Sequence, residues 1–107
     1  MKVSDLIRHH HFEYLTPEVS AETAITYIRS CDLLSWVMAR GQGGDGWITV
    51  QTHSNIVAVA SLLEFSCIIL PESLKPDEET LLKAAANNIP LLSTPLDAFE
   101  IMQLFCQ

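Results

Sequence analysis

Polar and titratable side chains gather where the sequence predicts that strands end, and His53 is the most informative of them. Trp47 to Val50 is β-branched and aromatic, and apolar residues recur at helical spacing from Ile56 onward. His53 therefore follows a predicted strand and precedes a predicted helix, where open α/β sheets place their ligands. Polar residues follow the other predicted strands in the same way, and together they form a candidate ligand-binding rim: Ser30, Asp32, Gln51, Thr52, His53, Glu72, Ser93 and Thr94.

This rim supports two interpretations. A phosphorylated metabolite or nucleotide could bind there, with His53 as a general acid or base, since histidine titrates near neutral pH. The polar side chains could instead brace neighbouring turns through local hydrogen bonds, with Ser54 or Thr52 capping the next helix. We favour the second interpretation, because polar residues at the ends of loops often make local hydrogen bonds. A Ser, a His and an Asp in one chain form a triad only in the right geometry.

Two other segments carry residue types that can bind ligands. The run from Gly41 to Gly46 is rich in glycine, but it lacks the Lys-Ser or Lys-Thr of a P-loop and precedes a strand. It predicts a flexible connection, with Asp45-Gly46 as a turn. The run His9 to His11 predicts a surface cluster, because consecutive residues point in different directions and no further ligand lies at metal-binding spacing. We therefore expect no metal and no cofactor.

The elements that would position the rim alternate along the chain. The pattern predicts, in order, a helix near Val3–Ile7, strands at Phe12–Leu15 and Ala24–Ile28, a helix at Leu33–Ala39, a strand at Trp47–Val50, a helix from Ile56, a strand at Cys67–Leu70, a helix after Pro76, a strand at Ile89–Leu92 and a last helix that begins at Thr94 and Pro95. Strands that alternate with helices predict a three-layer α/β/α sandwich with a mostly parallel central sheet. Cys67–Leu70 is apolar throughout and predicts an interior strand.

Length and composition limit the classes of protein that the chain can represent. Its 107 residues, 49% of them hydrophobic, predict a single domain over residues 1–107. The net charge of −7 and six scattered basic residues argue against nucleic-acid and membrane binding. Three widely spaced cysteines and the lack of an apolar leader predict a cytoplasmic protein with free thiols.

The apolar surplus also predicts self-association. Only 18% of the residues are charged, and a domain of this size has much surface to cover. We expect a homodimer in which one apolar patch meets its own copy. The expected contributors are aromatic or methionine residues of the second and last helices: Trp36, Met38, Phe99, Met102 and Phe105.

Four segments together resemble the DRTGG domain family: Asp32–Met38, Gly46–His53, Asn55–Ala60 and Ile89–Leu92. The family is similar to the amino-terminal domain of HPr kinase/phosphorylase and occurs as a regulatory module in phosphotransacetylases and in pyrophosphatases that carry CBS domains. The resemblance implies a small α/β/α regulatory or assembly module, often dimeric, with no established chemistry of its own. The family motif itself is degenerate, because Ala21-Glu22-Thr23-Ala24-Ile25 stands where Asp-Arg-Thr-Gly-Gly is expected.

The sequence therefore predicts a non-catalytic regulatory or scaffold module that self-associates and acts through a partner enzyme or a bound metabolite. The alternative is a small enzyme or sensor that binds a phosphorylated metabolite or nucleotide at the rim around His53.

Overall fold

In the part of the chain that the structure describes, five helices pack on a five-stranded sheet. The computed structural model describes residues 1–9 and 11–106, without the side chain of His9. The helices are α1 (Val3–His9), α2 (Leu34–Arg40), α3 (Asn55–Leu62), α4 (Glu78–Ala86) and α5 (Ala98–Gln103), and the strands are β1 (Glu13–Tyr14), β2 (Tyr27–Ser30), β3 (Asp45–Ile48), β4 (Cys67–Leu70) and β5 (Leu91–Ser93).

The sheet is mostly parallel, as predicted. Strands β2 to β5 run parallel to one another, and β1 pairs antiparallel with β5 at one edge. The spatial order is β1-β5-β4-β3-β2, so β4 lies at the centre. All residues of Cys67–Leu70 are buried, as expected for a strand that is covered on both faces.

Helices cover both faces of the sheet and complete the three layers. On one face, α2, α3 and α4 pack against Trp47 and Ile68. On the other face, α1 and α5 pack against Ile48 and Ile69. Neighbouring residues of one strand enter opposite layers because side chains alternate along a strand. Burial of each such side chain contributes about 1.5–3 kcal/mol to the stability of the fold.

Three predicted strands are present at shifted positions. β2 covers Tyr27–Ser30 rather than Ala24–Ile28, β3 covers Asp45–Ile48 rather than Trp47–Val50, and β5 covers Leu91–Ser93 rather than Ile89–Leu92. Val50, for example, donates its N–H to the Asp32 carboxylate at 2.8 Å. Strand ends depend on which neighbour supplies hydrogen bonds, and intrinsic preference does not reveal that neighbour.

The predicted start of the last helix is wrong. Asp97, not Thr94, precedes α5, and its carboxylate accepts the N–H of Glu100 at 2.8 Å. Glu100 accepts the N–H of Asp97 in return at 3.0 Å, which completes a capping box. Thr94 instead accepts the N–H of Leu96 at 3.3 Å and forms a local turn.

The cysteines are all free, and they differ in burial. Cys67 is buried in β4, Cys31 is half-buried and Cys106 is exposed. Burial raises the pKa of the Cys67 thiol to about 12, because an apolar surrounding disfavours the thiolate. Within residues 1–9 and 11–106, no helix is long and apolar enough to cross a membrane.

Candidate functional site

The residues of the predicted rim lie at the end of the sheet where the parallel strands have their carboxyl termini. Strands β2 to β5 are parallel, so their carboxyl ends meet there, and the loops after them carry the polar side chains. The polar residues at these strand ends form two hydrogen-bonded groups. One group lies at the ends of β2 and β3, and the other lies at the ends of β4 and β5. Each group is held by its own hydrogen bonds.

Asp32 braces the loop that connects β3 to α3. Its Oδ1 atom accepts hydrogen bonds from the hydroxyl of Thr49 at 2.9 Å and from the N–H of Val50 at 2.8 Å. Gln51 donates its side-chain amide to the carbonyl of Asp32 at 3.0 Å. These bonds fix Asp32 and Gln51 in a local structural role.

Thr52 and His53 continue the same loop. The carbonyl of Thr52 accepts the N–H of Asp77 at 3.1 Å and the hydroxyl of Thr80 at 2.7 Å, which ties the loop to the start of α4. His53 is exposed, and its Nδ1 atom accepts the N–H of Asn55 at 3.3 Å. Ser54 holds the N-cap position, as one of the two predictions had it, but its side chain makes no cap bond, and Thr52 contributes its carbonyl elsewhere.

The second group joins the loops after β4 and β5. Ser93 is buried and donates its hydroxyl to the carbonyl of Leu74 at 2.8 Å. The N–H of Glu72 bonds to the carbonyl of Leu96 at 2.9 Å, and the N–H of Ser73 bonds to that of Thr94 at 2.8 Å. Glu72 and Ser73 have φ values of 56° and 59°, a left-handed conformation that non-glycine residues rarely adopt. The bonds to the β5–α5 segment hold this strained turn in place.

Ser30 lies apart from these bonded groups. It is exposed at the end of β2 and lines a groove of 260 Å³ together with Arg29, Trp36 and Met102. The rim therefore consists of braced loops, with exposed side chains at His53 and Glu72 and a groove beside Ser30. In the described residues, the Asp32 and His53 side chains have separate partners and form no proton relay with each other.

A buried ion pair was missed by the sequence analysis. Asp45 is not a turn residue: it begins β3, its side chain is 1% exposed, and its Oδ2 atom lies 2.6 Å from Arg29 Nε. The N–H of Gln42 also bonds to this oxygen at 3.0 Å. Among the described residues, Asp45 Oδ1 is buried without a hydrogen-bond partner. No local signal reveals this pair, because Arg29 lies on a different strand.

The segment Ala21–Ile25, which the resemblance aligns with the family motif, packs into the fold. Ile25 is 7% exposed, belongs to the core and donates its N–H to the carbonyl of Met1 at 2.7 Å. Ala24 forms an isolated bridge with Lys2. Ala24 and Ile25 carry side chains at the two positions where the resemblance predicts glycines, and a Cβ atom limits how closely another group can approach the backbone.

Within the part of the chain that the structure describes, no three or more His, Cys, Asp and Glu side chains come together in an arrangement that could hold a metal. The predicted surface cluster His9 to His11 lies partly outside the described residues.

Comparison with known proteins supports the fold. No family model matches the chain, and no curated protein matches it. The structure is similar to a crystal structure of the CBS and DRTGG domains of the regulatory region of Clostridium perfringens pyrophosphatase, complexed with its activator diadenosine tetraphosphate. The TM-score is 0.70 and the identity is 22%, over 90% of this chain and 42% of that chain. This likeness supports the DRTGG-like fold that the sequence predicts, and it shows the fold alone.

Proposed function

We propose that this chain is a non-catalytic regulatory module of the DRTGG type, which self-associates and acts through a partner enzyme or a bound metabolite. The observation that carries the proposal is the fold, shared over 90% of the chain with a regulatory region of an enzyme. Because the chain spans 42% of that neighbour, the nucleotide activator of the neighbour is a property of a longer protein.

The hydrogen bonds of the rim support a structural role for most of its polar groups. Asp32, Thr52, Ser93 and Thr94 each hold two loops or a turn together. Asp32, Ser93 and Thr94 do this through their side chains, and Thr52 does it through its main-chain carbonyl. Local hydrogen bonds of this kind hold turns in place. These contacts support a module that presents a fixed surface to a partner.

A binding and turnover assay tests this function. The chain is mixed with ATP, diadenosine tetraphosphate or inorganic phosphate, and melting temperature and product formation are both measured. A ligand that binds the folded state raises the melting temperature by mass action, without turnover. Turnover of ATP that is lost in His53→Ala, but kept in the matched exposed variant His11→Ala, would overturn the non-catalytic proposal.

A second candidate function is a sensor or small enzyme that binds a phosphorylated metabolite at the rim. The observation that favours it is the strained turn at Glu72 and Ser73, since strained backbone often accompanies binding sites. If this candidate is right, the shift in melting temperature with diadenosine tetraphosphate disappears in His53→Ala and persists in His11→Ala. Equal shifts in both variants would place the ligand elsewhere.

A further inference from the structure

Strand β2 forms an open edge of the sheet. It pairs with β3, and no strand in the described residues lies on its other side. Cys31 donates its N–H to the carbonyl of Ile48 at 3.2 Å, whereas Thr49 donates its N–H to Ile69 of β4 at 3.2 Å. The N–H and C=O groups of successive residues point to opposite sides of a strand. Because the N–H of Cys31 points toward β3, those of Arg29 and Tyr27 point toward β3 as well. Those of Ile28 and Ser30 consequently face outward.

The opposite edge of the sheet is protected against pairing, unlike β2. β1 is two residues long, and the exposed carboxylate of Glu13 pairs with Lys75 Nζ at 2.6 Å. Short strands and exposed charges are devices that prevent edge-to-edge association. The segment from Thr26 to Cys31 contains no proline, lysine or acid, and its single charge, Arg29, is neutralised by Asp45.

Two grooves run along β2 and share Tyr27 and Ile28. One has a volume of 600 Å³ and is lined on its far side by Leu104 and Phe105, and the other is the 260 Å³ groove beside Ser30. The described residues that line them include no Asp or Glu, although the chain has thirteen acids and a net charge of −7. Two copies of this acidic chain can therefore meet at β2 without opposing carboxylates.

We propose that β2 pairs antiparallel with β2 of a second copy, about a two-fold axis at Ile28. The proposal rests on the self-association in the proposed function and names its surface. In this register the two Ile28 residues exchange both of their N–H···O bonds, and each Ser30 N–H reaches the carbonyl of the other copy's Thr26. The two five-stranded sheets then form one continuous sheet.

The side chains favour this register over its neighbours. Tyr27 lies opposite Arg29 of the second copy in a close pair, and an Arg guanidinium stacks well on an aromatic ring. Within one copy the Arg29 guanidinium already lies 5.1 Å from the Tyr27 ring centre. An axis at Arg29 would oppose two guanidinium groups. An axis at Tyr27 would place Arg29 opposite Ile25, which is buried, and both Tyr27–Arg29 pairs would be lost.

Two pairs of variants test the proposal by analytical ultracentrifugation over a range of protein concentrations. Ser30→Pro removes an outward N–H, and Ser30→Ala removes only the hydroxyl. Tyr27→Lys places a cation opposite Arg29, and Leu82→Lys makes the same charge change at an exposed apolar residue of α4. We expect Ser30→Pro and Tyr27→Lys each to raise the dimer Kd at least tenfold, and each control to change it less than about threefold.

Amide hydrogen exchange reports on the strand itself. The N–H groups of Ile28 and Ser30 should exchange slowly at high concentration and rapidly on dilution, while that of Arg29, which faces β3, stays protected at both. If Ser30→Pro does not fold, Tyr27→Lys and this measurement decide the question.

The possible results separate the two proposals. A dimer whose Kd is unchanged in Tyr27→Lys, with no protection of Ile28 and Ser30 that depends on concentration, keeps self-association and overturns the β2 interface. A chain that stays monomeric at every concentration overturns both self-association and the β2 interface. The open edge of β2 would then be available only to a different partner.

Discussion

Arg29 and Asp45 form the one ion pair among the described residues in which a carboxylate is almost fully buried. Removal of one member of such a pair leaves an uncompensated charge in the interior, which costs far more than the loss of an exposed pair. We predict that Arg29→Met lowers the free energy of unfolding by about 2–3 kcal/mol. Urea denaturation at one fixed protein concentration measures this loss.

Arg40→Met is the matched control for this prediction. Arg40 also stacks on an aromatic ring, that of Trp36 at 4.9 Å, but it is exposed. Its replacement should cost less than about 0.5 kcal/mol. Equal losses in the two variants would show that stacking, and not the buried carboxylate, determines the effect.

Cys67 gives a second prediction at the same scale. Burial raises the pKa of its thiol to about 12, so the folded protein holds almost no Cys67 thiolate at pH 8. Iodoacetamide should therefore label Cys106 first and Cys67 only after unfolding, as followed by mass spectrometry. The unfolded chain loses this proton at lower pH than the folded chain, so stability falls as pH rises above the ordinary thiol range. Rapid labelling of native Cys67 would contradict its burial in β4.

An aspartate at the N-cap position does not always cap its helix, because its carboxylate must also bond to an N–H of the first turn. Asp97 caps α5 through a bond to Glu100, whereas Asp77 precedes α4 without a side-chain cap bond. We predict that Asp97→Ala destabilises the protein by about 1 kcal/mol and that Asp77→Ala has a smaller effect, both measured by thermal unfolding. A larger loss from Asp77→Ala would mean that charge at the helix start outweighs the cap.

The elements also show what sequence patterns can predict. The order of helices and strands, the central position of Cys67–Leu70 and the alignment of strand ends at one edge follow from periodicity, because periodicity reflects burial. The start of α5 does not follow, since Thr94 and Pro95 are good local signals that a tertiary contact overrides: the carbonyl of Thr94 accepts the N–H of Ser73. The bonds from Asp32 to Thr49 and Val50, like the Asp45–Arg29 pair, join residues that lie far apart in the sequence, and no local pattern reveals them.

For the whole molecule, the net charge opposes association, whereas the proposed β2 interface favours it. Each copy carries a charge of −7, so two copies repel each other through solvent. The proposed contacts are main-chain hydrogen bonds and Tyr27–Arg29 stacks in grooves without acids, which depend little on salt.

Added salt should therefore strengthen the dimer. The Debye length falls from about 10 Å at 0.1 M salt to about 3 Å at 1 M, which screens the repulsion between the acidic surfaces. We predict that the dimer Kd decreases a few-fold between 0.05 M and 0.5 M NaCl in sedimentation equilibrium, and that Leu82→Lys shows a smaller decrease because its net charge is lower. An interface made of ion pairs would behave in the opposite way, because salt weakens attraction between opposite charges as well as repulsion between like ones. A Kd that rises with salt would thus exclude pairing of the β2 edges as the main contact.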